Sequence, residues 1–285
     1  MPSSSKPAPR LEPRLWGGAH GPPKIMGVIN MTPDSFYPSS RAATPKEAAA
    51  CARRMKEEGA DILDVGGQST RPGSDPVPLA EEIRRVVPAV RAAAEETGLP
   101  ISVDTDKAEV ARLARLAGAS ILNDVSALRA EPELVHEAAK FDAVVLMHRL
   151  GPDSRTMQND PRYGDVVAEV KDFLAARIEA FVRAGGDRAR ALIDPGIGFG
   201  KTAAHNLSLL KHLDAFARLA PVVLGASRKS FLGAVIPDQG PDDRLPGSLA
   251  AALCASAAGA AAVRVHDVDQ TRRALATFWA VRAAS

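Results

Sequence analysis

The stretch Lys24-Ile25-Met26-Gly27-Val28-Ile29-Asn30, followed at once by Met31-Thr32-Pro33, decides between two architectures. It is short, apolar and rich in branched side chains, as a strand buried on both faces should be. An open doubly wound sheet would place a Gly-rich phosphate-binding turn after its first strand, and Met31-Thr32-Pro33 is no such turn. Seven further runs of the same kind follow: Asp61–Val65, Ile101–Asp104, Ser120–Asn123, Ala143–His148, Ala191–Asp194, Val222–Gly225 and Ala262–Val265. Between them lie helical stretches of about 10 to 20 residues. Thr44-Pro45-Lys46-Glu47 reads as a capping box with proline at the first helical position, and Asp106 to Glu109 reads similarly. Glu57-Glu58-Gly59 and Ala117-Gly118 read as helix ends. Eight β-then-α units with no linker between them predict one α/β domain, a single (β/α)8 TIM barrel over residues 24–285. Residues 1–23, rich in Pro, Ser and Gly, are expected to form a disordered leader.

The whole-chain numbers fit. A length of 285 residues allows two domains of about 150 residues or one barrel of about 250. Hydrophobic residues at 46% and charged residues at 25% are ordinary for a globular chain. Lys and Arg (36) nearly balance Asp and Glu (34), so no general nucleic-acid or membrane surface is expected, and any anion site must be local. Cys51 and Cys254 form no disulfide framework and are expected to be small buried hydrophobes. No apolar run reaches the ~18 residues of a membrane span. The N-terminus lacks the apolar segment of a secretory signal, so a cytoplasmic enzyme is expected.

In a barrel, chemistry collects on the loops that follow the strands. Here the strand ends read Asn30; Gly66-Gly67 running into Ser69-Thr70-Arg71; Asp104; Asn123-Asp124; His148; Asp194; Ser227-Arg228-Lys229; and Arg264 with His266. A purely structural barrel has no use for so many polar groups at one mouth, where each unpaired one costs about 1–3 kcal/mol. Asp104, Asn123, Asp194 and Lys229 combine acceptors with one donor cation, which suits a flat polar heterocycle. Arg264, His266, Asn30 and Thr70 suit a phosphate or diphosphate, with the Asn30 carbonyl available to Mg²⁺ held mainly by phosphate oxygens and water. Gly196 to Thr202 imitates a Walker A loop but has three residues where that motif needs four, and reads instead as a tight turn holding Asp194 and Phe199 at the mouth. Two loops, Thr32 to Ser40 and Gly66 to Gly73, are placed to act as mobile lids.

These residues carry a resemblance. Met26 to Phe36, Asp64 to Gly73, Ser102 to Thr105, Asn123-Asp124, Leu146 to His148, Asp194 to Lys201, Ser227 to Ser230 and Arg264 to Asp267 resemble, in order, the motifs of dihydropteroate synthases. The resemblance implies a barrel transferase of folate biosynthesis that joins 6-hydroxymethyl-7,8-dihydropterin diphosphate to 4-aminobenzoate and releases pyrophosphate. It implies that Asp104, Asn123, Met147, Asp194, Phe199 and Lys229 hold the pterin. Asn30, Thr70, Arg264 and His266 would hold the diphosphate, and Asn30 its Mg²⁺. Phe36, Thr70, Arg71, Pro72 and Lys229 would border 4-aminobenzoate, and Asp104, Lys229, Asp34 and Arg71 would carry catalysis. A homodimer through the last helices, with no nucleic-acid or membrane partner, is also implied.

The chain departs from the family pattern at Gln68, where Glu is usual, at Tyr37 to Ser40, and at Arg149 to Pro152. A Schiff-base aldolase using Lys229 is disfavoured because Lys229 lies beside Arg228 and faces acids rather than an apolar pocket. A catalytically weak or inactive pterin-binding paralogue is the alternative function. Because Thr70-Arg71-Pro72-Gly73 is retained, a sulfonamide mimic of 4-aminobenzoate is expected to raise the apparent KM for 4-aminobenzoate in a steady-state assay. Unchanged coupling at saturating sulfonamide and low 4-aminobenzoate would contradict this.

Overall fold

The computed structural model describes residues 16–18, 21–32, 42–69, 74–151, 155–236 and 240–284. Among them eight parallel strands form one sheet: β1 (Lys24–Asn30), β2 (Ile62–Gly66), β3 (Ile101–Asp104), β4 (Ala119–Asp124), β5 (Ala143–Met147), β6 (Ala191–Asp194), β7 (Val223–Leu224) and β8 (Ala262–Val265). The order is β6-β5-β4-β3-β2-β1-β8-β7, and a single bridge, Ile193 to Val222, joins β6 to the start of β7. The sheet is therefore a nearly closed (β/α)8 barrel, as the eight runs predict.

The helices wrap outside: α1 (Pro45–Glu58), α2 (Leu79–Thr97), α3 (Ala108–Leu116), α4 (Leu134–Ala138), α5 (Val166–Arg183), α6 (Ala203–Lys211), α7 (Leu213–Ala217), α8 (Leu245–Ala257) and α9 (Val268–Ala283). Thr44 caps α1 as expected, its side chain accepting from the Glu47 N–H, and α1 ends at a left-handed Gly59. Asp106 does not cap α3. Lys107 holds that position, and the Ala108 N–H donates to Glu131 of the next loop (2.7 Å), so a long-range acid replaces the local cap. α4 spans only five residues, shorter than the expected range.

Alternation along the strands divides the interior in two. Ile25, Ile29, Leu63, Val65, Val103, Leu122, Val144, Leu146, Ile193, Leu224 and Val263 join the core shared with the helices. Met26, Ile62, Ile121, Ala143, Val145, Leu192, Val223 and Ala262 fill the barrel axis, and Trp16 packs against that cluster from outside the strands. The preference for small residues shows in α8, whose buried face is Ser248, Ala251, Ala252, Ala255 and Ser256. The Trp279 indole N–H of α9 donates to Ser256 Oγ across this contact (2.9 Å). Cys51 is buried as expected, but Cys254 lies on the outer face of α8 and is exposed. An Ala-rich helix has no strong polar face, so its composition does not tell which side of it meets the core.

The turn after β6 is the tightest place in the mouth. Gly196 has φ +70°, and a Cβ there would lie 1.8 Å from the His148 carbonyl oxygen. Gly196→Ala is expected to cost at least about 2 kcal/mol of stability by urea unfolding, combining a left-handed backbone with a backbone clash. An unchanged midpoint would show that the turn can relax.

Candidate active site

Most of the side chains above the apolar axis are polar, Met147 being the exception. Asp64 sits two residues beyond Ile62, Asn123 two beyond Ile121, Met147 two beyond Val145, Asp194 two beyond Leu192, and Arg264 two beyond Ala262. Asp104 reaches the same level through its pairing with Asn123 on one side and Gly66 on the other. The inward positions that continue an apolar column therefore become a ring of charge and amide at the C-terminal mouth.

Arg264 ties this ring together. Its Nε donates to Asp64 Oδ2 (2.6 Å) and one terminal nitrogen donates to Asp104 Oδ2 (2.8 Å). Asp64 is fully buried and Asp104 nearly so. Burial opposes the guanidinium's charge, but the two carboxylates outweigh it and raise the Arg264 pKa. Asn123 Nδ2 makes a long contact to Asp64 Oδ2 (3.3 Å). The sequence separates Arg264 from the acids as a phosphate ligand, whereas the fold places it among them. Asp64 escaped the strand-end inventory because it lies inside an apolar run. The signal was there, since an acid flanked by Leu63 and Val65 in a buried strand needs a buried partner.

On the opposite side, Asp194 Oδ1 accepts from the Gly196 N–H (2.7 Å). Lys229 Nζ donates to the Ile197 carbonyl (2.5 Å) and lies 4.6 Å from the centre of the Phe199 ring. Phe199 packs with Met147, Val125 and Met157 as an apolar wall. Between these groups lies Gly225. A Cβ there would be 3.6 Å from Asp194 Oδ2, 3.8 Å from Arg264 Cδ and 3.8 Å from Lys229 Nζ, so three polar residues from different elements converge over the end of β7. Burial pushes the Asp104 carboxyl up to about 7 against the pull of Arg264, and raises Asp194 against the pull of Lys229. Burial pulls the Lys229 ammonium down to about 8.

At the β8 end, the His266 N–H donates to Ser227 Oγ (3.3 Å), and that hydroxyl lies 3.1 Å from His266 Nδ1. Asn30 ends β1, its backbone carbonyl accepting from the Ala42 N–H (3.0 Å). Arg228, a strand-end residue beside Lys229, has a left-handed backbone (φ +58°) and a two-pronged ion pair with Asp267 (2.8 and 2.7 Å) that fix the turn presenting Lys229. Asp124, listed among the strand ends, faces away from the mouth and accepts from the Ser126 N–H and hydroxyl and the Leu128 N–H, holding its own loop. Gln68 is placed by Lys107 Nζ (2.9 Å) and the Val77 N–H (3.0 Å), both donating to its Oε1. Lys107 also pairs with the buried Glu82, which accepts from the Thr105 hydroxyl (2.6 Å). Asp34, Phe36, Thr70, Arg71 and Pro72, with Tyr37 to Ser40, lie outside the described residues.

A family model described as "Pterin binding enzyme" matches residues 26–266. Dihydropteroate synthase of Escherichia coli K12 is 44% identical over 255 residues, 89% of each chain, and that of Synechocystis sp. is 42% identical over 246 residues, 86% of this chain and 85% of the other. The chain belongs to the dihydropteroate synthase family. Dihydropteroate synthase of Xanthomonas albilineans solved with 4-aminobenzoic acid superposes with a TM-score of 0.85 at 46% identity, covering 93% of this chain and 95% of that one. The Yersinia pestis dihydropteroate synthase in a sulfonamide drug complex superposes with a TM-score of 0.88 at 41% identity, covering 92% and 95%.

The Asp64–Arg264–Asp104 cluster is a stability element of the barrel mouth. Asp64→Ala leaves a buried guanidinium half-paired and is expected to cost about 3 kcal/mol by urea unfolding. The cost should persist at high salt, since buried pairs are poorly screened. A loss that salt abolishes would contradict burial of the pair.

Proposed function

We propose that this chain is a working dihydropteroate synthase, coupling 6-hydroxymethyl-7,8-dihydropterin diphosphate to 4-aminobenzoate with release of pyrophosphate. The observation that carries the reading is the convergence of Asp194, Arg264 and Lys229 over Gly225 at the barrel mouth, with Asp104 and Asn123 on the adjacent rim. This ring offers acceptors to the amino and ring N–H groups of a pterin edge, and Lys229 as donor to its carbonyl or ring nitrogen. Met147 and Phe199 supply an apolar wall for the ring system.

The reaction needs no nucleophilic side chain. The pterin C–O bond breaks, the electron pair leaves with pyrophosphate, and a delocalised pterin cation remains. Ionised Asp104 favours that cation, while Arg264 and His266, on β8 and its loop, stabilise the departing anion. The arylamine lone pair then closes on the methylene carbon, and the nitrogen gives its proton to solvent. By resemblance, Phe36, Thr70, Arg71 and Pro72 orient 4-aminobenzoate, Thr70 adds a diphosphate contact, and Asp34 belongs with the leaving group.

The donor set fits Mg²⁺ arriving with the diphosphate. Among the described residues no three His, Cys, Asp or Glu side chains converge to cage a metal, whereas Asn30 offers one amide oxygen beside β8. One protein oxygen with phosphate oxygens and waters is an ordinary Mg²⁺ shell. When bound, the ion supplies charge neutralisation of the leaving group. A homodimer through the last helices and a cytoplasmic setting complete the reading. α9 leaves Val281 largely exposed, and no described helix is long and apolar enough to cross a membrane.

The test is a coupled assay for pyrophosphate that requires both substrates. No release with both substrates present would support the inactive paralogue instead. Asp104→Asn is expected to lower kcat by about a hundredfold with the unfolding midpoint retained. Because the raised group must be ionised to act, kcat/KM for the pterin diphosphate is expected to fall as pH drops through about 7. Near-normal turnover of the variant would remove Asp104 from the chemistry.

A further inference from the structure

Lys201 plays no part in the reaction described above, yet its side chain is turned into the protein and buried. Its Nζ is 2.8 Å from His148 Nδ1 and donates to the Phe199 carbonyl (3.1 Å). His148 follows β5, and its backbone N–H donates to the Asp194 carbonyl (2.9 Å). Its ring is held edge-on by Phe173 of α5 (4.9 Å). Gly196, whose N–H donates to Asp194 Oδ1, stands between the two residues: a Cβ on it would lie 3.5 Å from Lys201 Nζ. A buried ammonium needs a reason, since removing one from water without full compensation costs several kcal/mol.

We propose that Lys201 is a positioning residue of the pterin subsite, fastening the loop from Pro195 to Gly200 onto the end of β5 and supplying a second positive charge beside Asp194. The inference rests on the pterin reading of the site. Two hydrogen-bonded partners make the fastening. The ammonium donates to His148 Nδ1, so His148 is neutral with its proton on Nε2, and burial with the Lys201 charge pulls that ring down to about 2. The Phe199 carbonyl fixes the residue whose ring walls the site and lies under Lys229. The charges facing Asp194 come from several elements: Lys229 after β7, Lys201 after β6, and Arg264 on β8. Those facing Lys201 are Asp194 and Lys229, and burial pulls its ammonium down to about 7 while Asp194 holds it up. His148 also feels Arg129 after β4. Removing the Lys201 charge should make Asp194 harder to ionise, and a protonated Asp194 is a poorer acceptor for pterin N–H groups.

The test is equilibrium binding of 7,8-dihydropterin, without diphosphate, to the full-length protein by calorimetry from pH 5 to pH 9. Three variants separate the roles. K201M removes charge and hydrogen bonds, K201Q keeps a donor without charge, and K201R keeps the charge. In K201M and K201Q the acidic weakening of binding is expected to move up by about one pH unit, equivalent to roughly tenfold weaker binding within that window. K201R should keep the wild-type profile. K201M should remain folded, because an apolar chain of similar length suits the buried position. If the wild type binds and the acid limb of K201M and K201Q stays where the wild type has it, Lys201 is a structural tie only and the proposal fails. If the wild type does not bind the pterin, the functional reading fails first.

Discussion

Everything at the mouth hangs on one buried ion triad, Arg264 between Asp64 and Asp104. Three strands, β2, β3 and β8, contribute one member each, so the triad is also a statement about barrel closure. The backbone pairing of Met26 with both Ile62 and Arg264 fixes β8 and β2 relative to each other across β1, with Asp64 two residues further along. A slip of one residue in any of these strands would turn its charged member toward the helices. The register thus brings the carboxylates and the guanidinium together at the mouth.

The same alternation explains which sequence expectations could succeed. The eight apolar runs were legible because strands buried on both faces have few alternatives. Asp104, Asn123 and Asp194 were legible as strand ends. What strand ends alone do not reveal is direction. Asn123 and Asp124 are neighbours of equal promise, but only Asn123 shares the parity of Ile121, and Asp124 serves its loop instead. Counting parity from an apolar inward residue would have separated them, and would have brought Asp64 into the site.

Other residues resisted sequence reading because their partners are distant in the chain. The Arg228–Asp267 pair joins residues on the loops after two different strands, and Lys201 finds His148 across the β5 and β6 ends. Lys107 finds Glu82 on α2 and Gln68 on the loop after β2. Nothing in the local pattern of Ser227 to Ser230 shows that Arg228 is internal while Lys229 faces the ligand space. Adjacent residues on a tight turn point in different directions, and the turn is settled by its tertiary contacts.

The convergence at Gly225 has a thermodynamic meaning. Most inward positions of the barrel carry a side chain of their own, whereas at Gly225 the neighbours Asp194, Arg264 and Lys229 close in instead. A heterocycle seated there would complete the interior much as a core residue does, touching an apolar wall on one side and satisfying buried polar atoms on the other. Under the proposed function, binding there would add to the stability of the fold as RT ln(1 + [L]/Kd) with ligand concentration. Substrate supply and fold stability would then rise and fall together.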